Sequence, residues 1–307
     1  MASAELRDTR RRIRSVQAIQ KITRAMELIA ASRIPRASSR VLASQPYTAK
    51  LIEVIQNLGG AGSSGSHVLL SQREVSDVGV VVVSSDRGLA GAYASTIIRM
   101  AEQRIIDLRR EGKDVRIFAI GKKAQTYFRY RGYRIERSFL SVTDTPGYGD
   151  ARAVANSVMG AYASGEVDAV EAFFSRFQSA MTQVPTRYDL LPIQAAERDP
   201  APAAASSATA DSSAGTPLPV VYTYEPSPAE ILDRLLPRYV EATVFNMLLE
   251  ASASEHSARR RAMKAATDNA DDLIRALTMS ANRARQADIT TEISEIVGGA
   301  EALAEAR

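Results

Sequence analysis

Two uninterrupted stretches of helical pattern, one at each end of a 307-residue chain, constrain the fold more than any other feature. Residues 4 to about 57 read as a single helix, roughly 80 Å long at 1.5 Å per residue. Within it Ile19, Ile22, Met26 and Ile29 step by three, four and three residues, which predicts that they form the buried seam of a coiled coil. Leu6, Ile13 and Val16 carry a neighbouring stripe, and Arg and Gln fill the other faces. Pro35 removes a ladder hydrogen bond and crowds the preceding turn, so a kink or break is expected there, with Pro46 a second weak point. The run Gly59–Gly60–Ala61–Gly62–Ser63–Ser64–Gly65 ends the helix in a flexible loop.

The second stretch opens with a strong start signal. Ser227 suits the N-cap, Pro228 the first helical position, and Glu230 completes a capping box. Apart from Pro237 no proline follows, and the helix of roughly 70 residues would span about 105 Å. Leu235, Tyr239 and Ala242 repeat the seam spacing, as do Ile289, Ile293 and Ile296, and Arg259, Arg260, Arg261 and Lys264 form a basic cluster between them. Neither helix is stable alone in water at this length, so each must bury its stripe against the other. The chain leaves a central domain and returns to it, which predicts an antiparallel pair. The second helix is longer by about 15 to 20 residues, so its tip should project alone.

Between the helices the pattern changes. Val78–Gly79–Val80–Val81–Val82–Val83 is the β-branched run of a strand covered on both faces. Helix from about Ser95 to Arg110, strand Val115–Ile120, helix Lys122–Tyr130, strand near Tyr133–Phe139, helix Ala151–Ser164 and strand Val167–Phe174 follow in alternation. A mixed polar and apolar stretch then ends at Leu190–Leu191. This predicts a small Rossmann-like α/β domain with a largely parallel sheet beside a long antiparallel coiled coil. The expected organisation is a first shaft helix at 1–57, a flexible loop at 58–74, the α/β domain at 75–195, a disordered Ala/Pro/Ser-rich insertion at 196–219 and a second shaft helix at 220–307.

Chemistry is scarce. The chain has no Cys, which removes disulfides, thiolate catalysis and zinc–thiolate sites. His67 and His256 lie far apart among Ser and Ala and read as solvated side chains. The turn Ser84–Ser85–Asp86–Arg87–Gly88–Leu89–Ala90–Gly91–Ala92–Tyr93 stands where a phosphate loop would, but it has neither the dinucleotide nor the P-loop spacing. It reads as a structural turn, with Gly88 and Gly91 letting the backbone approach closely and Asp86 and Arg87 stabilising it as a pair. No catalytic residue, metal ligand or cofactor site is expected. No segment approaches about 18 consecutive apolar residues, so no transmembrane helix is expected, and the charged start is no secretory signal. Residues 1–40 carry ten Arg or Lys against three Asp or Glu. That excess points to nucleic acid, an anionic membrane or an acidic protein, and composition does not choose among them.

Several motifs do carry a resemblance. IQKITRAMELIAASR at 19–33, SSDRGLAGAY at 84–93, YEPSPAEILDRLLPRYVEATVF at 224–245, AMKAATDNADDLI at 262–274 and ITTEISEIVGGA at 289–300 resemble, in order and from end to end, the gamma subunits of bacterial F-type ATP synthases. The departures are Pro35, Ala90 where many members carry Cys, and the 196–219 insertion. The resemblance implies a non-catalytic central stalk, peripheral on the cytoplasmic face of the bacterial plasma membrane. It would transmit torque between a proton-driven ring of c subunits and a hexamer of alpha and beta subunits, with the epsilon subunit beside the foot. It further implies that Met26, Arg285 and Gln286 meet catalytic beta subunits. Ile289, Thr290, Glu292, Ile293, Glu295 and Ile296 would lie in the sleeve of the head, and Tyr222, Tyr224 and Glu225 near the c ring and epsilon. Two other classes stay open on the residues alone: a nucleic-acid-associated coiled-coil protein using the basic first helix, and a nucleotide-dependent α/β enzyme built on residues 84–93.

Overall fold

The computed structural model describes residues 4–58, 67–193 and 227–305. The Gly-rich run 59–65 and the 196–219 insertion fall outside the described residues. The chain divides into two compact units. One comprises Arg36–Gly88 and Ala92–Glu255; the other comprises Met1–Pro35, Leu89–Gly91 and His256–Arg307.

The larger unit is built on five strands: β1 (Asp77–Val83), β2 (Asp114–Ile120), β3 (Ile135–Phe139), β4 (Ala169–Phe177) and β5 (Gln183–Leu191). Their order is β3-β2-β1-β4-β5. The first four are parallel, and β5 runs antiparallel to β4. Helices α1 (Ala4–Leu58), α2 (Tyr93–Arg110), α3 (Lys122–Tyr130), α4 (Tyr148–Ala163) and α5 (Pro228–Glu305) complete the chain. The β-branched run is buried along its whole length after Asp77, as a central strand requires. On one face α2 covers β1, β2 and β4, while α3 covers β2 and β3. On the other, Val81, Val83, Phe118, Ile120 and Phe174 share a core with Val154 and Val158 of α4 and with Leu236, Val240 and Leu248 of α5. Leu51 and Ile55 of α1 join that core.

Strand β5 is absent from the sequence pattern. It carries Pro185 and alternates exposed and half-buried residues, because it is the edge strand and packs on one side only. The hairpin before it is closed by Gln178 and Ser179, whose amides donate to the Thr182 carbonyl. Other boundaries shift by a few residues: α2 and α4 start earlier than expected, and β4 runs on to Phe177. Helical assignment continues through Pro35 and Pro46 in α1 and through Pro237 in α5, so none of these prolines ends a helix. Ser227 is the N-cap of α5, its Oγ accepting from the Glu230 amide at 3.3 Å.

In the smaller unit the two helices run antiparallel. Gln20 donates to Asp271, and Thr23 shares a hydrogen bond of 2.8 Å with Thr267, so one step up α1 is one step down α5. The seam is not the one the isoleucines suggest. Leu6, Ile13, Val16, Gln20, Thr23, Glu27, Ala30 and Ile34 are the buried or half-buried line of α1, at strict heptad spacing. Opposite them stand Met263, Thr267, Ala270, Ile274, Leu277, Ala281 and Ala284. Ile19, Ile22 and Ile29 are 52%, 59% and 54% exposed, and Met26 is half-buried. Both lines have the same period, so spacing alone does not separate them. From the pairing register Ala4 faces the neighbourhood of Gln286, and residues 291–300 are exposed on every side. Ile34→Ala is therefore expected to lower the unfolding free energy of the full chain by about 2–4 kcal/mol. Ile19→Ala and Ile22→Ala should each stay within about 0.5 kcal/mol, as read by urea denaturation.

Candidate partner-binding surface

The turn after β1 is held by Asp86, though not through Arg87. Asp86 Oδ1 accepts from the Lys122 amide at the start of α3 at 3.0 Å. Its Oδ2 accepts from the Thr143 amide at 3.1 Å and from Thr143 Oγ1 at 3.0 Å. One carboxylate thus ties together three loops at the carboxyl edge of the sheet. Arg87 instead reaches Asp144, at 4.0 Å. Gly91 has φ 59°, which glycine adopts without strain, whereas a Cβ on Gly88 meets only ordinary contact with Lys123 at 3.7 Å. The glycine that close approach demands is Gly121, with φ 89° and the Ser84 carbonyl oxygen 2.9 Å from where a Cβ would stand.

In a doubly wound sheet a ligand binds at the carboxyl edge where the strand order reverses, here between β1 and β4. That crevice is filled by the chain itself. Tyr93, the first residue of α2, donates from its hydroxyl to the Ala251 carbonyl at 3.1 Å. Ser252 Oγ donates to the Asp144 carbonyl and Ser254 Oγ to the Ser175 carbonyl, at 3.0 and 3.1 Å. The Phe177 amide donates to Glu250 at 3.1 Å. Residues 251–254 are buried all round, so α5 occupies the volume a nucleotide would need. The sequence signal was the small-residue run Ala251–Ser252–Ala253–Ser254, which carries no motif. A cavity of about 180 Å³ between α2, β4 and β5 is lined by Arg104, Glu171 and Arg187 among others. Its charges answer one another: Glu171 is held at 2.9 Å by Arg104 and at 3.1 Å by Arg187. Among the described residues no group of three or more His, Asp or Glu stands together as a metal site.

Neither histidine is solvated. His256 is 2% exposed. His67 is half-buried, accepts from the Leu69 amide through Nδ1 and faces Asp233 at 3.7 Å. Burial also governs an acid and a phenol. Desolvation pushes the Glu250 carboxyl up from the ordinary glutamate range, against the lowering effect of the Phe177 amide. Tyr148 is pushed up to about 12 by burial and by its hydrogen bond to Glu241.

What remains for chemistry is surface. Arg285 and Gln286 are exposed on α5. Beyond them Ile289, Ile293, Ile296 and Val297 present an apolar line to solvent, interleaved with Glu292 and Glu295. Thr290 is exposed too and bonds the Gln286 carbonyl. On α1 the displaced stripe Ile19, Ile22 and Ile29, with Leu28, adds a second exposed apolar face within the same unit. Tyr222, Tyr224 and Glu225 lie outside the described residues. Exposed apolar lines of this extent mark contact with another macromolecule rather than a folded monomer's ordinary surface.

The sequence family described as ATP synthase matches residues 5–303. The ATP synthase gamma chain of Parafrankia sp. (strain EAN1pec) is 47% identical over 307 residues, covering 98% of this chain and 99% of the relative. This chain belongs to the ATP synthase gamma-chain family. A chain in the structure of Euglena gracilis mitochondrial ATP synthase, OSCP/F1/c-ring, superposes with a TM-score of 0.65 at 15% identity, covering 97% of this chain and 94% of that one. One from the central stalk/c-ring of the Tetrahymena thermophila enzyme gives 0.58 at 21% identity, covering 80% and 99%. These likenesses extend the gamma-chain fold to distant sequences. No described helix is long and apolar enough to cross a membrane.

Because ionising Glu250 costs more in the fold than in the unfolded chain, its protonated form stabilises the gamma-family fold. That increment is present at low pH and is lost as pH rises from the ordinary glutamate range through the raised value. Glu250→Gln keeps an acceptor for the Phe177 amide and removes the charge. Thermal melts between about pH 4 and pH 8 should show a smaller pH dependence for Glu250→Gln and a higher melting temperature at the upper end. A variant melting below the parent at the upper end contradicts this account.

Proposed function

We propose that this chain is the central, rotating stalk of a proton-translocating F-type ATP synthase, peripheral on the cytoplasmic face of a bacterial plasma membrane and not itself catalytic. It carries torque between a membrane ring of c subunits and a hexamer of alpha and beta subunits. The observation that carries this reading is the end of α5, where residues 291–300 are exposed and Ile289, Ile293, Ile296 and Val297 present an apolar line to solvent. The family membership supports it.

Three chemically identical catalytic subunits differ only if something asymmetric touches each of them differently, since a partner shifts an equilibrium only by its differential affinity for the two states. A lopsided helix pair has a different face for each. In this reading Met26, Arg285 and Gln286 contact beta subunits. The tip from Ile289 to Ile296 turns in the sleeve of the head, where its isoleucines supply apolar contact. Tyr222, Tyr224 and Glu225 stand near the c ring and the epsilon subunit. The reading as a nucleotide-dependent enzyme loses its crevice to α5.

Reconstitution with alpha and beta subunits tests the class: steady ATP hydrolysis should require this chain. Arg285→Ala combined with Gln286→Ala removes at least one charge-assisted hydrogen bond worth about 1.5–3 kcal/mol and should slow hydrolysis about tenfold. Hydrolysis that proceeds equally well without the chain, or salt-sensitive DNA binding with no uptake into the hexamer, sinks the stalk reading.

A further inference from the structure

We propose that the turn of α5 at residues 250–254 is a torsional collar, and that Tyr93, Glu250, Ser252 and Ser254 are positioning residues through which the sheet unit grips the helix against rotation about its own axis. The proposal rests on the stalk reading and adds to it the place where torque enters the helix.

Glu250–Glu255 is the last stretch of α5 within the sheet unit, so any twist passing along the helix is reacted here. Upstream, bulky Met247 and Leu248 interlock with the core. At the exit the side chains shrink to Ala251, Ser252, Ala253 and Ser254. A helix clad in Ala and Ser is confined radially by close packing but is nearly a smooth cylinder. Dispersion contacts change little as such a surface turns, so directional bonds must fix its azimuth. The structure supplies four of them on this one turn. The Phe177 amide donates to Glu250, Tyr93 donates to the Ala251 carbonyl, Ser252 donates to the Asp144 carbonyl and Ser254 donates to the Ser175 carbonyl.

Their placement suits the task. At about 100° per residue, Glu250 and Ser254 share one side of the helix and Ser252 stands on the opposite side. Bonds on opposite sides form a couple, which resists twist in either direction. Their anchors belong to three different parts of the sheet unit: the start of α2, the loop before α4, and strand β4. Three of the four are not needed to keep α5 helical, because on the helix they use only the side-chain hydroxyls of Ser252 and Ser254 and the Glu250 carboxylate.

The chain has no native Cys, so Tyr130→Cys gives a unique attachment point on a residue that is 88% exposed and bears on none of these bonds. The alpha/beta hexamer carrying the full-length chain is fixed to a surface and held with a non-hydrolysable ATP analogue. The angular variance of a probe on the sheet unit then reports the torsional stiffness of the shaft. Ser252→Ala combined with Ser254→Ala removes two of the four bonds and should raise the variance about twofold. Tyr93→Phe, which deletes one hydroxyl and keeps the ring packed, should raise it by a smaller amount. Gln125→Ala, which loses the hydrogen bond to Ser138 on the far side of the same unit, should leave it unchanged. A merely structural role predicts equal effects from all three. Uptake of the parent chain with unaltered variance in both collar variants overturns the collar alone. Failure of the hexamer to take up the parent chain overturns the stalk reading and the collar together.

Discussion

Pairing of α1 with α5 is the constraint on which everything else depends. Its seam mixes Leu6, Ile13, Val16 and Ile34, opposite Met263, Ile274 and Leu277, with small and polar residues. Ala30, Ala270 and Ala281 are buried in it, and Thr23 and Thr267 share a hydrogen bond of 2.8 Å across it. The small and polar members bury less apolar area than leucines would, so the pair gains less from apolar transfer than an all-leucine seam of equal length. Stability must instead come from length and from the burial of α5 within the sheet unit, where residues 239–244, 247–249 and 251–255 are buried.

The polar members of the seam fix its register. Gln20 against Asp271, Thr23 against Thr267, and Glu27 with one carboxylate oxygen buried beside Arg24 at 3.9 Å form a polar layer where a coiled coil is ordinarily apolar. Sliding one helix by a heptad breaks both cross-helix hydrogen bonds and in one direction sets Thr23 against Ile274 and Glu27 against Ala270; an unpaired buried polar group costs about 1–3 kcal/mol. One buried polar position is enough to choose register in simpler coiled coils, at a cost in stability. For a rod that must present fixed faces to its partners, a single register matters more than depth of the minimum.

Much of this was legible in the residues. The two helices, their antiparallel return and the overhang of the second all follow from period, length and the start signal at Ser227. The parallel core of the sheet follows from the β-branched run at 78–83. What was not legible has physical reasons. Strand β5 is an edge strand containing Pro185, and one-sided packing leaves no continuous apolar run. The role of Asp86 depends on Lys122 and Thr143, each more than 30 positions away, so no local pattern reports it. The collar at 250–254 is written in Ala and Ser, the residue types that carry the weakest sequence signal. His256 sits among small residues that suggest solvent in the sequence and are themselves buried in the fold.

The inverted seam explains why the isoleucines mislead. A helix that meets only its partner places its largest apolar side chains inward, and period alone then finds the core. Here α1 has two lines of the same period, and between residues 19 and 30 the one with larger apolar side chains, at Ile19, Ile22 and Ile29, faces outward. The same holds for Ile289, Ile293 and Ile296 at the end of α5. Exposing that much branched aliphatic surface is unfavourable for the chain alone, and it becomes favourable only when another surface covers it. The failure of the simple seam prediction is thus itself a sign that the folded chain is not the whole packing unit, because the residues that look like core are core only in an assembly.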